Sequence, residues 1–500
     1  MIATSQPARS ALAPAAVVAQ LALSGAPPVH RITSDSRNVG PGDAFAAYPG
    51  AARDGRAFIP DALQRGAGSV LWETTGYTWP TSLRAPNAGI DNLKHELGFI
   101  ADHVYRHPSE RLWMVGVTGT NGKTSCAHWI AHALDASGRR AAVAGTLGNG
   151  FPGAIEPGVN TTPDAAALQE LLNKWANAGA QAVAMEVSSH GLTQGRVNGV
   201  HFDVALFTNL TRDHLDYHGS MEAYGEAKAR LFDWPALQSA VINADDAFGL
   251  ELIARCRRRG VPVLSYGRTG GDIHPVALEI GVDGIAATVD TPQGRADFRT
   301  GVVGEFNASN LLGVLGVLLA SDIDLSAAAQ LLEALQPVAG RMQKTGGHGQ
   351  PLVVVDYAHT PDALEKALRA LRPVAASRSG ALSVVFGCGG DRDPGKRPQM
   401  GAIAAEFADS VFVTSDNPRS EDPAAILAAI VAGIAKTTKR IDVLVGRDQA
   451  IAAAIAEAGS ADVVLVAGKG HEPYQEIAGV RHPFSDLDHA NSALAQRSAR

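Results

Sequence analysis

The stretch Leu112-Trp113-Met114-Val115-Gly116-Val117-Thr118-Gly119-Thr120-Asn121-Gly122-Lys123-Thr124-Ser125 decides the fold. A short apolar run ends in a Gly-rich turn, and Lys-Thr then opens a helical pattern, which is the order strand, phosphate cradle, helix. In such a cradle the backbone N–H groups and the helix N-terminus face an anion. Lys123 meets the terminal phosphates, and Thr124 offers a hydroxyl to Mg²⁺. The common spacing G-x-x-x-x-G-K-[ST] would need Gly at position 117, where this chain has Val117. The loop is therefore the shorter G-x-x-G-K-T form, Gly119 to Thr124, and the strand and helix that flank it argue against a turn without a ligand.

Working outward, apolar runs at residues 141–144, 182–187, 204–208 and 240–243 alternate with helical patterns at 163–178 and around 221–232. That alternation predicts βαβ units and a mainly parallel sheet. After Val338-Ala339-Gly340-Arg341 it resumes, with runs at 353–356, 383–386, 411–414, 441–445 and 463–467 and a helix from Pro361. Before the loop, residues 1–108 mix short strand-like runs such as 68–72 with turn clusters such as Val39-Gly40-Pro41-Gly42-Asp43. The expected architecture is α/β in three domains: a small N-terminal α/β domain at 1–108, a central P-loop mononucleotide-binding domain at 109–341, and a Rossmann-like doubly wound domain at 342–500. At 500 residues the chain is too long for one core.

Composition narrows the partners. Lys plus Arg number 43 and Asp plus Glu 50, a formal charge of −7 that lacks the basic excess nucleic-acid binding requires. The longest apolar stretch, 311–320, is too short to span a bilayer, so no membrane partner is expected. The run at 11–23 after Arg9 resembles a secretory signal, but Pro14 and Gln20 interrupt it and an N-terminal helix is expected instead. Cys126, Cys256 and Cys388 are odd in number and far apart, which fits a reducing cytoplasm better than a disulfide framework.

Open α/β sheets place ligands at strand ends, and acidic and histidine residues gather there. Glu186 ends the run 182–187 and is a natural Mg²⁺ ligand beside a phosphate loop, although a solvated strand end is the commoner fate of such a residue. Asp213-His214-Leu215-Asp216-Tyr217-His218 packs two His and two Asp into six residues, too dense for an ordinary turn. Asp356-Tyr357-Ala358-His359-Thr360-Pro361-Asp362 caps a strand and opens a helix, with Thr360 or Pro361 at its N-terminus. Gly387-Cys388-Gly389-Gly390-Asp391-Arg392-Asp393 is either a second anion site or a tight turn. With Asp416-Asn417-Pro418-Arg419 and Gly468-Lys469-Gly470-His471-Glu472, four such turns at one sheet edge predict a cleft facing the phosphate loop.

The ordered set of Asp35-Ser36-Arg37, Gly119 to Thr124, Asn160-Thr161-Thr162, Glu186-Val187-Ser188-Ser189-His190-Gly191-Leu192, Asp213-His214, Asp416 to Arg419 and Gly468 to Glu472 resembles the bacterial Mur ligase family over nearly the whole chain. The resemblance is to the members that add meso-diaminopimelate to UDP-N-acetylmuramoyl-L-Ala-D-Glu. It implies that the three domains bind, in order, the UDP-sugar, ATP and the incoming amino acid. It implies that Ser36 holds the UDP moiety and that Asn160, Thr161, Thr162, Ser188, Gln194 and Arg196 hold the muramoyl-dipeptide. Gly119, Thr120, Asn121, Gly122, Lys123, Thr124 and Ser125 would cradle ATP, completed by Asn310, Arg341, Asp356 and His359. Arg392, Asp416, Asn417, Pro418, Arg419, Gly468 and Glu472 would grip diaminopimelate. Thr124 and Glu186 would serve one Mg²⁺, and His214 and a carbamylated Lys228 the second. Lys123, Glu186, His214 and Lys228 would thus be the catalytic set. Two departures stand out: Ser125 replaces a second Thr, and Ala51-Ala52-Arg53 replaces a more polar triplet near the uridine.

The implied reaction is ATP-dependent amide ligation through an acyl phosphate, in cytoplasmic peptidoglycan precursor synthesis and hence cell-wall growth, shape and division, carried out by a monomer. Two other readings stay open. One is a sister ligase that takes L-lysine, a D-Ala-D-Ala dipeptide, or glutamate for folate. The other is a catalytically silent ATP-binding regulator on the same scaffold, which the joint presence of Lys123, Glu186, His214 and Lys228 disfavours.

Overall fold

The computed structural model describes residues 13–50, 53–281, 284–434 and 439–498; Ala51 and Ala52 of the substituted triplet, and Arg9, Ala11 and Leu12 of the N-terminal run, lie outside them. An N-terminal helix is present at Pro14–Leu23. It packs beside a four-stranded parallel sheet, Ile32–Thr33, Ala44–Ala47, Ser69–Glu73 and Asn87–Ile90 in that order.

The central sheet has eight strands. From one edge they run Val263–Tyr266, Ser239–Asn243, Val204–Phe207, Trp113–Thr118, Ala182–Glu186 and Ala141–Gly145, all parallel, then Gly148–Phe151 and Ala154–Glu156, added antiparallel. Period two explains why its strands read as unbroken apolar runs. Val115, Val117, Ala182, Ala184, Val204 and Leu206 enter the core on one face, while Met114, Val183, Met185, Ala205 and Phe207 enter the core on the other. The stretch 311–320 lies in the helix Glu305–Ala320, which is buried on nearly every side and closes the first of these cores.

A six-stranded sheet follows, ordered Gln343–Gly346, Leu352–Asp356, Val463–Ala467, Leu382–Phe386, Ser410–Thr414 and Arg440–Leu444; only the first strand is antiparallel. Its four inner strands end at the four turns singled out above. Two elements were not expected from the alternation: an antiparallel meander, His274–Ile280, Ile285–Thr291 and Gly294–Thr300, and a hairpin, Tyr474–Ile477 and Val480–Pro483. No helix among the described residues is long and apolar enough to cross a membrane.

Candidate active site

The phosphate loop joins the strand Trp113–Thr118 to the helix Lys123–Ala136. Gly122 adopts φ +88°, and a Cβ there would sit 2.5 Å from Asn310 Oδ1, so both conformation and space require glycine. The neighbouring strand end pins the turn. Asn209 accepts Asn121 N–H through Oδ1 at 3.0 Å and donates Nδ2 to Asn121 O at 3.1 Å, while Thr120 N–H donates to Asn209 O at 2.8 Å.

Within this frame Lys123 Nζ donates to Gly119 O at 2.9 Å and Thr120 O at 2.8 Å. Thr124 Oγ1 donates to Glu186 Oε2 at 3.0 Å and accepts from Arg341 Nη2 at 3.0 Å. Glu186 also receives Thr146 N–H on Oε1 at 2.7 Å. Lys228 is almost fully buried, donates to Gly119 O at 2.8 Å, and lies 4.2 Å from the centre of the Tyr224 ring. Burial, with the Lys123 charge nearby, holds the Lys228 ammonium well below the usual lysine range, and burial also lowers Lys123.

His214 has φ +54°, a left-handed conformation held at the start of the short helix Leu215–His218. Its ring packs edge-on against His190 at 4.8 Å, and burial pushes its pKa down to about 3 although Asp213 opposes the shift, so the imidazole is neutral. Asp213 lies below the usual range in spite of burial, because His214, His359 and Lys396 surround it.

These groups line one cavity of about 430 Å³. The structure brings together there Thr120, Asn121, Gly122, Lys123, Thr124, Ser125, Thr161, Glu186, Ser188, His214, Lys228, Asn310, Arg341, Asp356 and His359. The third sheet closes it from above: Arg341 lies 4.3 Å over the Tyr357 ring, and Asp356 accepts Met342 N–H at 2.8 Å. Of the four turns at that sheet edge, only the one after Asp356 lines this cavity.

The other predicted residues form two neighbouring groups. Thr162 Oγ1 donates to Glu186 O at 2.8 Å and lies 3.0 Å from Ser188 Oγ. Arg196 Nη1 reaches Thr162 O at 2.8 Å, and its Nε and Nη2 clasp Gln194 Oε1 at 3.0 and 2.8 Å, so Thr162, Ser188, Gln194 and Arg196 form one network. Asn160 is exposed, and Ser36 opens a one-turn helix, Ser36–Asn38, on the N-terminal unit. Asp416, Asn417, Pro418, Arg419, Gly468 and Glu472 converge at the ends of two strands of the third sheet, where Asn417 Nδ2 donates to Glu472 Oε2 at 2.8 Å and Arg419 Nη1 donates to Gly390 O at 2.7 Å. Arg392 is exposed at the rim of this group.

Comparison with known proteins matches this layout. Residues 28–105 match the Mur ligase family catalytic domain, 117–318 the Mur ligase middle domain and 340–470 the Mur ligase glutamate ligase domain. The chain belongs to the Mur ligase family. Among curated relatives, a UDP-N-acetylmuramoyl-L-alanyl-D-glutamate--2,6-diaminopimelate ligase of Chromobacterium violaceum is 54% identical over 93% of this chain and 94% of its own length. The protein of the same description from Pseudomonas aeruginosa is 52% identical over 93% and 95%. A solved structure of such a ligase covers 94% of this chain and 96% of its own, at 38% identity and a TM-score of 0.66. A Mur ligase from Thermotoga maritima solved with ADP shares the fold at 20% identity, with a TM-score of 0.67 over 94% and 98%.

Several groups of this Mur ligase's cavity were not assigned from sequence. Thr146, which grips Glu186, follows the buried strand Ala141–Gly145, so the strand-end rule could have found it. Asn209, just past the strand Val204–Phe207, is a second residue that the same rule could have found, whereas Lys469 stands in the sequence only as part of a Gly-Lys-Gly turn. Nothing local in the sequence announces that Lys469 is wholly buried.

Proposed function

We propose that this Mur ligase joins 2,6-diaminopimelate to the D-Glu γ-carboxyl of UDP-N-acetylmuramoyl-L-Ala-D-Glu, consuming ATP, as the descriptions of its relatives at 50% identity and above say of those proteins. The observation that carries the proposal is the single cavity in which Lys123, the Thr124–Glu186 pair, Arg341 and His359 face one another, with an acidic and Arg-bearing pocket at adjacent strand ends. We assign residues 1–108 to the UDP-sugar, 109–341 to ATP and 342–500 to the amino acid.

A carboxylate is a poor acyl donor. A γ-carboxylate oxygen therefore attacks the terminal phosphorus of ATP, the O–P bond forms as the bond to ADP breaks, and an acyl phosphate results. The amine nitrogen of diaminopimelate then attacks the acyl carbon, the C–N bond forms, phosphate leaves, and the nitrogen sheds its proton. Phosphoryl transfer needs charge neutralisation more than covalent help. Lys123 leaves its two loop carbonyls to meet the phosphates, backed by the N-terminus of the helix Lys123–Ala136. Arg341, fixed on Thr124 and stacked on Tyr357, adds a second cation from the side of the six-stranded sheet. Neutral His214 and Ser188, the latter held from behind by buried Thr162, line the side on which the dipeptide carboxylate would lie.

Mg²⁺ keeps most of its shell as water and substrate phosphate and takes few protein oxygens, and the adjoining Thr124 hydroxyl and Glu186 carboxylate fit that need. When bound, it neutralises charge on the phosphates. His214 and a carbamylated Lys228 are assigned to a second ion. The work is placed in cytoplasmic peptidoglycan precursor synthesis, on which cell shape and division depend, and in a monomer; the three free, buried cysteines are in keeping with a reducing compartment.

The test is an amino-acid panel with UDP-N-acetylmuramoyl-L-Ala-D-Glu and ATP, reading phosphate release and product mass. Release that depends on diaminopimelate, with the mass of the tripeptide product, is expected. Release with L-lysine alone, or none with any amino acid, would remove the proposal.

A further inference from the structure

Lys469 sits between the turn after Ser410–Thr414 and the turn after Val463–Ala467 and has no solvent exposure. Its Nζ donates to Asn417 Oδ1 at 3.0 Å and to Glu472 Oε2 at 2.9 Å, and lies 3.6 Å from Asp416 Oδ1, which has no hydrogen-bond partner among the described residues. Asn417 Oδ1 also accepts Glu476 N–H at 2.9 Å. Both lone pairs of that oxygen are therefore used, and the amide nitrogen is forced to the opposite side, where one of its hydrogens goes to Glu472 Oε2.

The consequence is a polarity for the pocket. Asn417 has a single N–H left to offer and nothing with which to accept, so it suits a carboxylate. Glu472 has its Oε2 doubly engaged by Lys469 and Asn417, which leaves Oε1 to accept from an ammonium. Reverse the Asn417 amide and two donors would face its nitrogen while its oxygen met a carboxylate; Lys469 is the charge that makes that arrangement costly. Asp416, Glu472 and the fully buried Arg447–Asp486 pair beside them, joined at 2.7 Å, leave Lys469 as the counter-charge in direct contact with both pocket acids.

We propose that Lys469 is the positioning residue of the amino-acid pocket: by holding Asn417 Oδ1 and Glu472 Oε2 it fixes which side of the pocket receives a carboxylate and which receives an ammonium of the incoming amino acid. This rests on the assignment of that pocket to the amino acid, so the wild-type panel is read first. If the panel selects an amino acid other than diaminopimelate, the substrate assignment falls and the Lys469 test proceeds with the amino acid found.

The test is the steady-state kinetics of Lys469→Met and Lys469→Arg. Removing one partner of a buried hydrogen-bonded charge pair should raise the KM for the amino acid about thirtyfold or more in Lys469→Met. KM for ATP and for the UDP-dipeptide, and kcat at saturating amino acid, should stay within about threefold, because the groups assigned to them lie in the phosphate-loop cavity and in the Thr162–Arg196 network, away from Lys469. Lys469→Arg restores the charge and should recover part of the loss. A folded Lys469→Met with an unchanged amino-acid KM, or with all three KM values raised together, would overturn the proposal. A wild-type complex with the amino acid tests it even if the variants do not fold: a ligand carboxylate against the Asn417 side chain and an ammonium against Glu472 support it, and an ammonium against Asn417 overturns it.

Discussion

Arg419 holds a left-handed backbone, φ +52°, which a non-glycine residue adopts only when its surroundings over-determine it. Here they do: its N–H donates to Glu476 O at 3.0 Å and its carbonyl accepts Ala478 N–H at 2.7 Å, so the hairpin Tyr474–Pro483 clamps it. Meso-diaminopimelate exceeds lysine by one carboxylate, and a guanidinium meets a carboxylate through two parallel hydrogen bonds. Arg419→Ala should cut the kcat/KM ratio of diaminopimelate over lysine by about thirtyfold or more while nucleotide affinity holds. An unchanged ratio would take the selector role from this residue. Lys228 poses a different question, because an ammonium beside a cation site is repelled. Its lowered pKa favours the free amine, whose nitrogen can attack CO₂, forming an N–C bond and releasing one proton to leave a carbamate. Protein loaded with ¹³C-bicarbonate should show a carbamate resonance that Lys228→Ala lacks, and acetate should restore activity to that variant. No resonance together with no rescue would leave Lys228 a donor to Gly119 and nothing more.

At the scale of elements, the helix Lys123–Ala136 carries the phosphate loop at one end and His128 one turn further on. His128 is buried with no partner for Nε2 among the described residues, and burial first, then His132 and Arg341, lower its pKa from the usual 6.5 to about 4. Between those values the unfolded chain binds more protons than the folded one, so this contribution is present in full above about pH 6.5 and is lost as pH falls toward 4. At pH 5 the loss from His128 alone is about 2 kcal/mol. His128→Leu should therefore lose about that much less stability than wild type between pH 8 and pH 5 in denaturant unfolding; equal losses would contradict the assignment. The same element shows what sequence could tell. A strand such as Trp113–Thr118, buried on both faces, must be apolar throughout, and a Gly-rich turn with Lys-Thr can follow it in few ways, so both were legible. The meander was not. Its first strand, His274–Ile280, is largely exposed, with Val276 at 47%, and His274, Pro275 and Glu279 break any period, because only part of one face packs on the core. Strand-end residues such as Glu186 and Asp356 were found because parallel sheets gather ligands there. The bond from Arg341 to Thr124 and the burial of Lys469 were not, since each depends on how segments remote in sequence pack.

For the whole molecule, both joints between its three units combine a shared apolar core with polar contacts. The N-terminal unit shares a core with the middle one: Ala165 and Ala166 of the helix Ala165–Asn177 pack with Val17, Leu21 and Tyr105. Backbones also meet there, since a Cβ at Gly98 would collide with Asn198, whose Nδ2 donates to His95 O at 2.9 Å, and Arg31 spans the joint to Glu170 at 2.7 Å. The third unit meets the phosphate loop through polar groups at the cavity. Asp362, in the first turn of the helix Pro361–Ser377, accepts Asn121 Nδ2 at 3.0 Å and Thr211 Oγ1 at 3.4 Å. Beside the rim, Arg212 Nη2 donates to Asp393 Oδ2 at 3.5 Å. Polar contacts of this type exchange readily with water and each stabilises by only about 1 kcal/mol, whereas a shared apolar core does not open without cost. Val303 and Phe306 of the middle unit also pack into the third unit's core, and Asp362 adds a polar tie between that unit and the loop. Asp362→Ala should speed hydrogen exchange in the phosphate loop and in the first turn of its own helix, leave exchange in the Gly98 and Asn198 segments as in wild type, and slow ligation about tenfold. Unchanged exchange at the loop, or equal acceleration at both joints, would show that the third unit is held by contacts other than Asp362.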